Sequence, residues 1–427
     1  MAQDVPRLVD HLFRREAGKM AAYLVRAFGP ARLELAEDVV QDVLCRALEL
    51  WPARGVPENP SAWLMRAARN RAVDILRRDG RLSFFAPEIE SLIMNAEAAS
   101  KDAAGAAALE REIQDDELRL MFSCCRPEIS PEAQVALILK TLCGFSVSEI
   151  AQALLAEEGA VEKRLGRARA AFRDAGELEP LRAAQIPERL EAVHQAIYLL
   201  FSEGYHGSGS DQVVREDLCF EALRLVLLLA EHPGAAKPRT FALAALFCFG
   251  AARLSGRAGA AGLLPLEEQD RSAWDRSLIA RGFDFLERSA AGRELSDYHL
   301  EAAIAALHSS APNAEETDWR EILGLYDRLL LVKPTPVVAL NRAVAAGRAL
   351  GPEKGLAELG AIVGAEKLKG YSFYPAARGE LLRQTGRPAE AQKCFRQAAA
   401  LARTKPEAEF FARRASECHA AARGIRP

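Results

Sequence analysis

Five basic side chains, Lys163, Arg164, Arg167, Arg169 and Arg173, stand within residues 163–173, with no acid before Asp174. At the α-helical angle of about 100° per residue, Lys163 and Arg167 share a face with Gly159, Gly166 and Ala170, and Glu162, Arg164 and Arg169 flank it. Val161, Leu165, Ala168 and Phe172 fall opposite and form a narrow apolar face. Small residues between cations let a helix sink into a DNA major groove. Lys163 and Arg167 would then reach base edges while Arg164 and Arg169 hold phosphates. The same stripe also fits an ordinary amphipathic helix with a solvated charged side.

A second cationic stretch lies upstream. Residues 62–81 carry six Arg against two Asp, and Trp63, Arg66, Asn70, Asp74 and Arg77 fall on one side of the expected helix. Leu64, Met65, Ala68, Ala72, Ile75 and Leu76 form the opposite, buried stripe. Trp63 has two readings, an exposed ring that stacks on an unpaired base or an edge-of-core residue. Between the two basic stretches, residues 82–117 hold nine acids and two bases and lack a sustained apolar stripe. Two basic helices separated by an acidic connector describe a bipartite nucleic-acid binder.

The elements that position these residues are helical throughout. The chain of 427 residues is rich in Ala, Leu, Arg and Glu, which favour helix, and an all-α fold is expected. Residues 4–81 read as closely spaced helices broken at Gly29-Pro30 and at the loop Pro52 to Pro60. One of them, Glu34 to Leu48, sets Asp38, Asp42 and Glu49 on one face, with Gln41 beside them and Val40, Val43, Leu44 and Ala47 behind. A short helix over Ser148–Leu154, a turn and a second helix from about Glu158 predict a helix-turn-helix. From about 186 onward paired helical stretches follow with short Gly/Pro breaks. Within them Gly386 to Pro406 is close to a tetratricopeptide unit, with a weaker echo over Leu329 to Leu359.

Other classes find little support. The longest apolar run, Phe241 to Ala252, is too short to cross a bilayer and reads as a buried helix. No export signal is expected, which points to the cytoplasm. The eight cysteines form no CxxC pair and read as reduced core thiols, and neither a metal nor a cofactor is expected. The loop Gly204 to Asp211, with Tyr205-His206, prompts an enzyme reading, yet no nucleophile–base spacing, Walker loop or HExxH motif accompanies it. A helical-repeat scaffold whose N-terminal helices bind DNA for some other purpose is a further reading.

Residues 35–81, with the D-x-x-Q-D run Asp38 to Asp42 and the AWL…ARNRAVD…RR helix, resemble region 2 of the extracytoplasmic-function sigma factors of the sigma-70 family. Residues 118–178, with PEAQVALIL and EGAVEKRLGRAR, resemble region 4 of the same class. The part after 186 is similar to the tetratricopeptide-like extension of one subgroup. Leu155 stands in the turn where many such motifs carry Gly, and Met65 where many relatives carry an aromatic.

The resemblance implies an alternative sigma factor with no catalytic site, divided into region 2 (1–81), an acidic linker (82–117), region 4 (118–178) and a helical-repeat regulatory domain (186–427). It implies that Asp38, Gln41 and Asp42 bind the clamp helices of core RNA polymerase, with region 4 on the flap. Asn59, Trp63, Arg66, Asn70 and Arg71 would hold the melted −10 element of promoter DNA. Glu162, Lys163, Arg164, Arg167 and Arg169 would face the −35 element. The repeat domain would take a protein or peptide partner, and no membrane is involved.

Overall fold

Helix-favouring residues with apolar side chains three and four apart leave the chain one economical way to bury its oily surface, as packed amphipathic helices. The computed structural model describes residues 5–78, 114, 116–154, 156–174, 184–206, 214–259 and 262–423. Most of the acidic connector, Leu155 and positions 207–213 of the Gly-rich loop lie outside the described residues. The chain divides into two compact units, Met1–Leu200 with Glu231–Ala235, and Phe201–Ala230 with Ala236–Pro427.

In the first unit α1 (Val5–Phe28), α2 (Leu33–Arg54) and α3 (Pro60–Arg78) pack on one another. α1 and α2 meet at the expected break, where Pro30 opens a single 3-10 turn. The second break is shorter than expected, because α2 continues through Pro52 to Arg54. Pro52 stands in the last turn, where its missing N–H removes one terminal bond, and the burial of Trp51 (2% exposed) holds that turn in place. Gly55 ends the helix with φ of 82°, a left-handed angle that a side chain would strain.

A helix over 116–123 (α4), α5 (Pro131–Thr141), α6 (Val147–Ala153) and α7 (Glu158–Arg173) form a second bundle in the same unit. Its core contains Phe122, Phe145, Ile150, Leu165 and Phe172, all nearly solvent-free. The two bundles touch closely. A methyl group on Gly18 of α1 would lie 2.5 Å from the carbonyl oxygen of Leu142, so only glycine fits. The first part of α8 (Ile186–His206) belongs to this unit as well, and Arg189 Nη1 donates to the Phe122 carbonyl at 3.2 Å.

The second unit continues with α9 (Glu216–Glu231) and α10 (Pro238–Ala252). α10 is buried on nearly every side, as its unbroken apolar run requires, between α11 (Arg276–Ser289) and α12 (Asp297–Ser310). Then α13 (Trp319–Val332), α14 (Pro336–Leu350), α15 (Pro352–Gly360), α16 (Phe373–Gln384), α17 (Pro388–Leu401) and α18 (Lys405–Ala422) each pack on their sequence neighbours. Successive cores centre on Ile322 and Leu329, on Leu340 and Leu359, and on Phe395 and Phe411. That is the nearest-neighbour burial of a helical stack. Among the described residues the only strands are Ala258–Gly259 and Gly262–Leu263, paired antiparallel. No helix among them is long and apolar enough to cross a membrane.

Candidate nucleic-acid interface

The helix-turn-helix forms where its local signals place it. Ser146 caps α6, with its Oγ accepting from the Glu149 N–H at 3.2 Å and its own N–H donating to Glu149 Oε2 at 2.7 Å. Such a reciprocal cap fixes where the helix starts. In α7 the buried residues are Val161, Leu165, Ala168 and Phe172, as the periodicity predicts. The opposite side exposes Gly159, Glu162, Lys163, Gly166 and Arg167, with Arg164 half-exposed. A methyl group on Gly159 or Gly166 would meet no atom within 4 Å. The fold therefore does not need glycine there, although each costs the helix about 0.5–1 kcal/mol relative to alanine.

Arg169 departs from the expectation of a free phosphate contact. Its Nη2 lies 2.6 Å from Glu37 Oε2 on α2, and Thr141 Oγ1 donates to Glu37 Oε1 at 3.0 Å. One carboxylate thus ties α2 to α5 and α7, and Arg26 with Asp116 adds a second link at 3.0 Å between the bundles. Sequence reasoning missed Glu37. Its type and its place beside Asp38 were visible, but its partners lie 104 and 132 residues away.

The α3 region also has its residues in engaged positions. Asn59 Oδ1 accepts from the Ala62 N–H at 3.0 Å, so Asn59 caps α3 just before Pro60. Trp63 is half-buried and meets the ring of Trp51 edge-on at 5.4 Å, which favours the edge-of-core reading over the exposed one. Arg66, Asn70, Asp74 and Arg77 are exposed, and Asn70 Oδ1 accepts from Arg69. On α2, Asp38, Gln41 and Asp42 are exposed as expected. Arg71 reaches Asp42 through two nitrogens at 2.8 and 2.6 Å, so a residue expected on DNA and one expected on polymerase hold each other. No group of three or more His, Cys, Asp or Glu among the described residues is placed to hold a metal ion.

Comparison with known proteins falls on these same helices. Residues 12–82 match the family Sigma-70 region 2, and residues 119–172 match Sigma-70, region 4. A helical bundle carrying region 2 and a helix-turn-helix carrying region 4, in that order, define the class of a sigma factor. The chain belongs to the sigma-70 family. Its two regions support a role in promoter-specific transcription, with core RNA polymerase and promoter DNA as the partners they imply. Residues 189–290 match a family of unknown function, DUF6596. An uncharacterized protein of Rhizobium meliloti (strain 1021) is 40% identical over 383 residues, which span 89% of each chain. No solved structure matches the chain.

Proposed function

We propose that the protein is an alternative sigma factor of the extracytoplasmic-function type, a non-catalytic cytoplasmic subunit whose helical C-terminal domain modulates its activity. The Asp38–Gln41–Asp42 face of α2 docks on the clamp helices of core polymerase. Arg66, Asn70 and Arg71 on α3 hold the opened −10 strand, with Asn59 and Trp63 setting the helix that carries them. Lys163, Arg164 and Arg167, with Glu162 beside them, read the −35 element, and Arg169 joins them when it leaves Glu37. The acidic connector threads the polymerase toward its RNA exit path, and the stacked hairpins after α12 offer a concave surface to a protein or peptide.

The observation that carries this reading is the exposed face of α7, with two cations around an unneeded glycine, on a helix whose other side is fully buried. Sigma action is differential binding. Extruding a base costs a few kcal/mol, stacking returns about 1–3 kcal/mol, and a bidentate Arg–guanine contact adds about 1–3 kcal/mol of discrimination. The test is transcription in vitro by sigma-free core polymerase with the full chain and genomic fragments. Site-directed transcripts are expected. Arg167→Ala should lower them at least tenfold while core binding stays intact, and transcripts equal to wild type would refute the role of that residue.

A further inference from the structure

Tyr205-His206, which closes α8 within the second unit, has no part in DNA or polymerase binding. The Tyr205 ring lies in a ladder of alternating guanidinium and aromatic groups. Arg257 Cζ sits 3.8 Å from the Tyr205 ring centroid, and Arg253 Cζ lies 5.8 Å from both Tyr205 and Trp274. Arg271 Cζ follows at 5.2 Å from Trp274. Two of the three guanidiniums are anchored by neutral acceptors. Arg271 donates to the His308 and Ala311 carbonyls and to Thr317 Oγ1, at 2.9, 2.7 and 3.0 Å. Arg257 donates to the Tyr205 carbonyl at 3.1 Å. The Arg253 side chain has no hydrogen bond or ion pair with any described residue, and the Nε atoms of Arg253 and Arg257 are buried without an acceptor.

Glu267 and Glu315 favour the Arg271 charge, and the carboxylates nearest the ladder have other partners. Glu267 pairs with Arg348 at 2.6 Å, and Glu268 pairs with Arg414. Glu407 shares with Arg257 and His206 the wall of a cavity of about 10 Å³, but Ser372 Oγ and the Arg403 N–H hold its two oxygens. The carbonyl end of α10 offsets part of the Arg253 charge without accepting from its side chain. The field of the ladder shows on its neighbours. Burial pushes the Tyr205 phenol up, yet Arg253 and Arg257 outweigh it and the net shift is downward. Burial, with Arg253, Arg271 and Arg348, holds His308 at about 3. Stacking on a ring explains where each guanidinium lies. It does not supply the counter-charge that closely spaced, partly dehydrated cations require.

We propose that the Arg257–Tyr205–Arg253–Trp274–Arg271 ladder is the binding site for the oxyanion of a small ligand, a phosphate or a carboxylate, in the second unit. Arg253 is its ligand, half-exposed and with donors to spare, and Arg257, stacked on the same Tyr205 ring, adds its charge to the field. The narrow cavity beside Arg257, which Arg253 does not line and Glu407 does, has room for about one water-sized group, so the anion binds at the half-exposed Arg253 rather than inside that cavity. The site is built from residues of the second unit alone, and the DNA- and polymerase-facing residues belong to the first, so it stands or falls independently of the sigma assignment.

The test is titration calorimetry on the full chain with inorganic phosphate and with acetate, against chloride at matched ionic strength. Saturable binding of phosphate or acetate is expected, and whichever is tighter identifies the head group. Arg253→Met should weaken that binding at least tenfold, whereas Arg253→Lys should retain part of it, and wild-type far-ultraviolet circular dichroism would show both variants folded. Tyrosine absorbance should shift on binding in the wild type and not in Arg253→Met. If Arg253→Met unfolds, weakened but detectable binding with a reduced absorbance shift in folded Arg253→Lys supports the site, and undiminished binding by Arg253→Lys would overturn it. No binding, an equal response to chloride, or undiminished binding by Arg253→Met would overturn it.

Discussion

Arg169 gives Nη2 and much of its charge to Glu37, so the ion pair between the two sigma bundles competes with a DNA phosphate for that guanidinium and opposes DNA binding by the free chain. The perturbation is Glu37→Gln, which removes the charge and leaves an oxygen for Thr141 to donate to. Glu37 and Arg169 are 16% and 26% exposed and meet at 2.6 Å. A hydrogen bond between charged groups is worth about 1.5–3 kcal/mol net when buried and about 0.2–1 kcal/mol when exposed. The partial exposure here places the pair near 1 kcal/mol. If that interaction is lost whenever DNA binds, Glu37→Gln should tighten binding of promoter duplex by about fivefold. It should also lower the melting temperature of the first unit by a few degrees. Fluorescence anisotropy on labelled duplex at fixed salt reads the first effect and thermal denaturation the second. The control is Arg169→Ala, in whose background Glu37→Gln should change nothing, because the coupling belongs to the pair. A Glu37→Gln protein that binds duplex no more tightly than wild type would refute the competition.

Other residues make separate claims. Gly166→Ala meets no atom of its own chain, so it should stabilise the protein by about 0.5–1 kcal/mol yet weaken duplex binding, because the added methyl lies on the groove face. Unchanged DNA affinity would remove the reason for glycine there. Trp63→Ala should cost about 2 kcal/mol of stability, from half-buried area plus the Trp51 contact; a melting curve identical to wild type would restore the free, base-stacking ring. His308 is neutral when folded, with its pKa lowered from 6.5 to about 3, so its contribution is full above pH 6.5 and is lost as pH falls toward 3. By pH 5 the loss from this group is about 2 kcal/mol, and His308→Asn should flatten the acid limb of the stability curve by that amount. Equal slopes for both proteins would count against it.

Much of the interface was legible locally. The buried face of α7 follows from apolar residues three and four apart, and the start of α6 follows from Ser146 and Glu149, whose bonds span one turn. The same logic placed Val40, Val43, Leu44 and Ala47 behind Asp38 and Asp42. It failed where a residue's role depends on a distant partner. Periodicity put Trp63 on the outer side of α3, but Trp51 rises from the end of α2 to cover it. Proline rules ended α2 before Pro52, while burial of Trp51 carried the helix one turn further. Asn59, expected on DNA, caps α3.

What the amino-acid order determined alone is the set of helices, their buried stripes and the cationic face of α7, because helix bonds and side-chain periodicity operate within a few residues. Tertiary structure decided which exposed charges are free. It joined Arg169 to Glu37 across 132 residues and Arg71 to Asp42 across 29, and it gathered three guanidiniums around Tyr205 and Trp274. Helix packing sets those juxtapositions, and charge pairing has no periodicity along the chain from which they could be read.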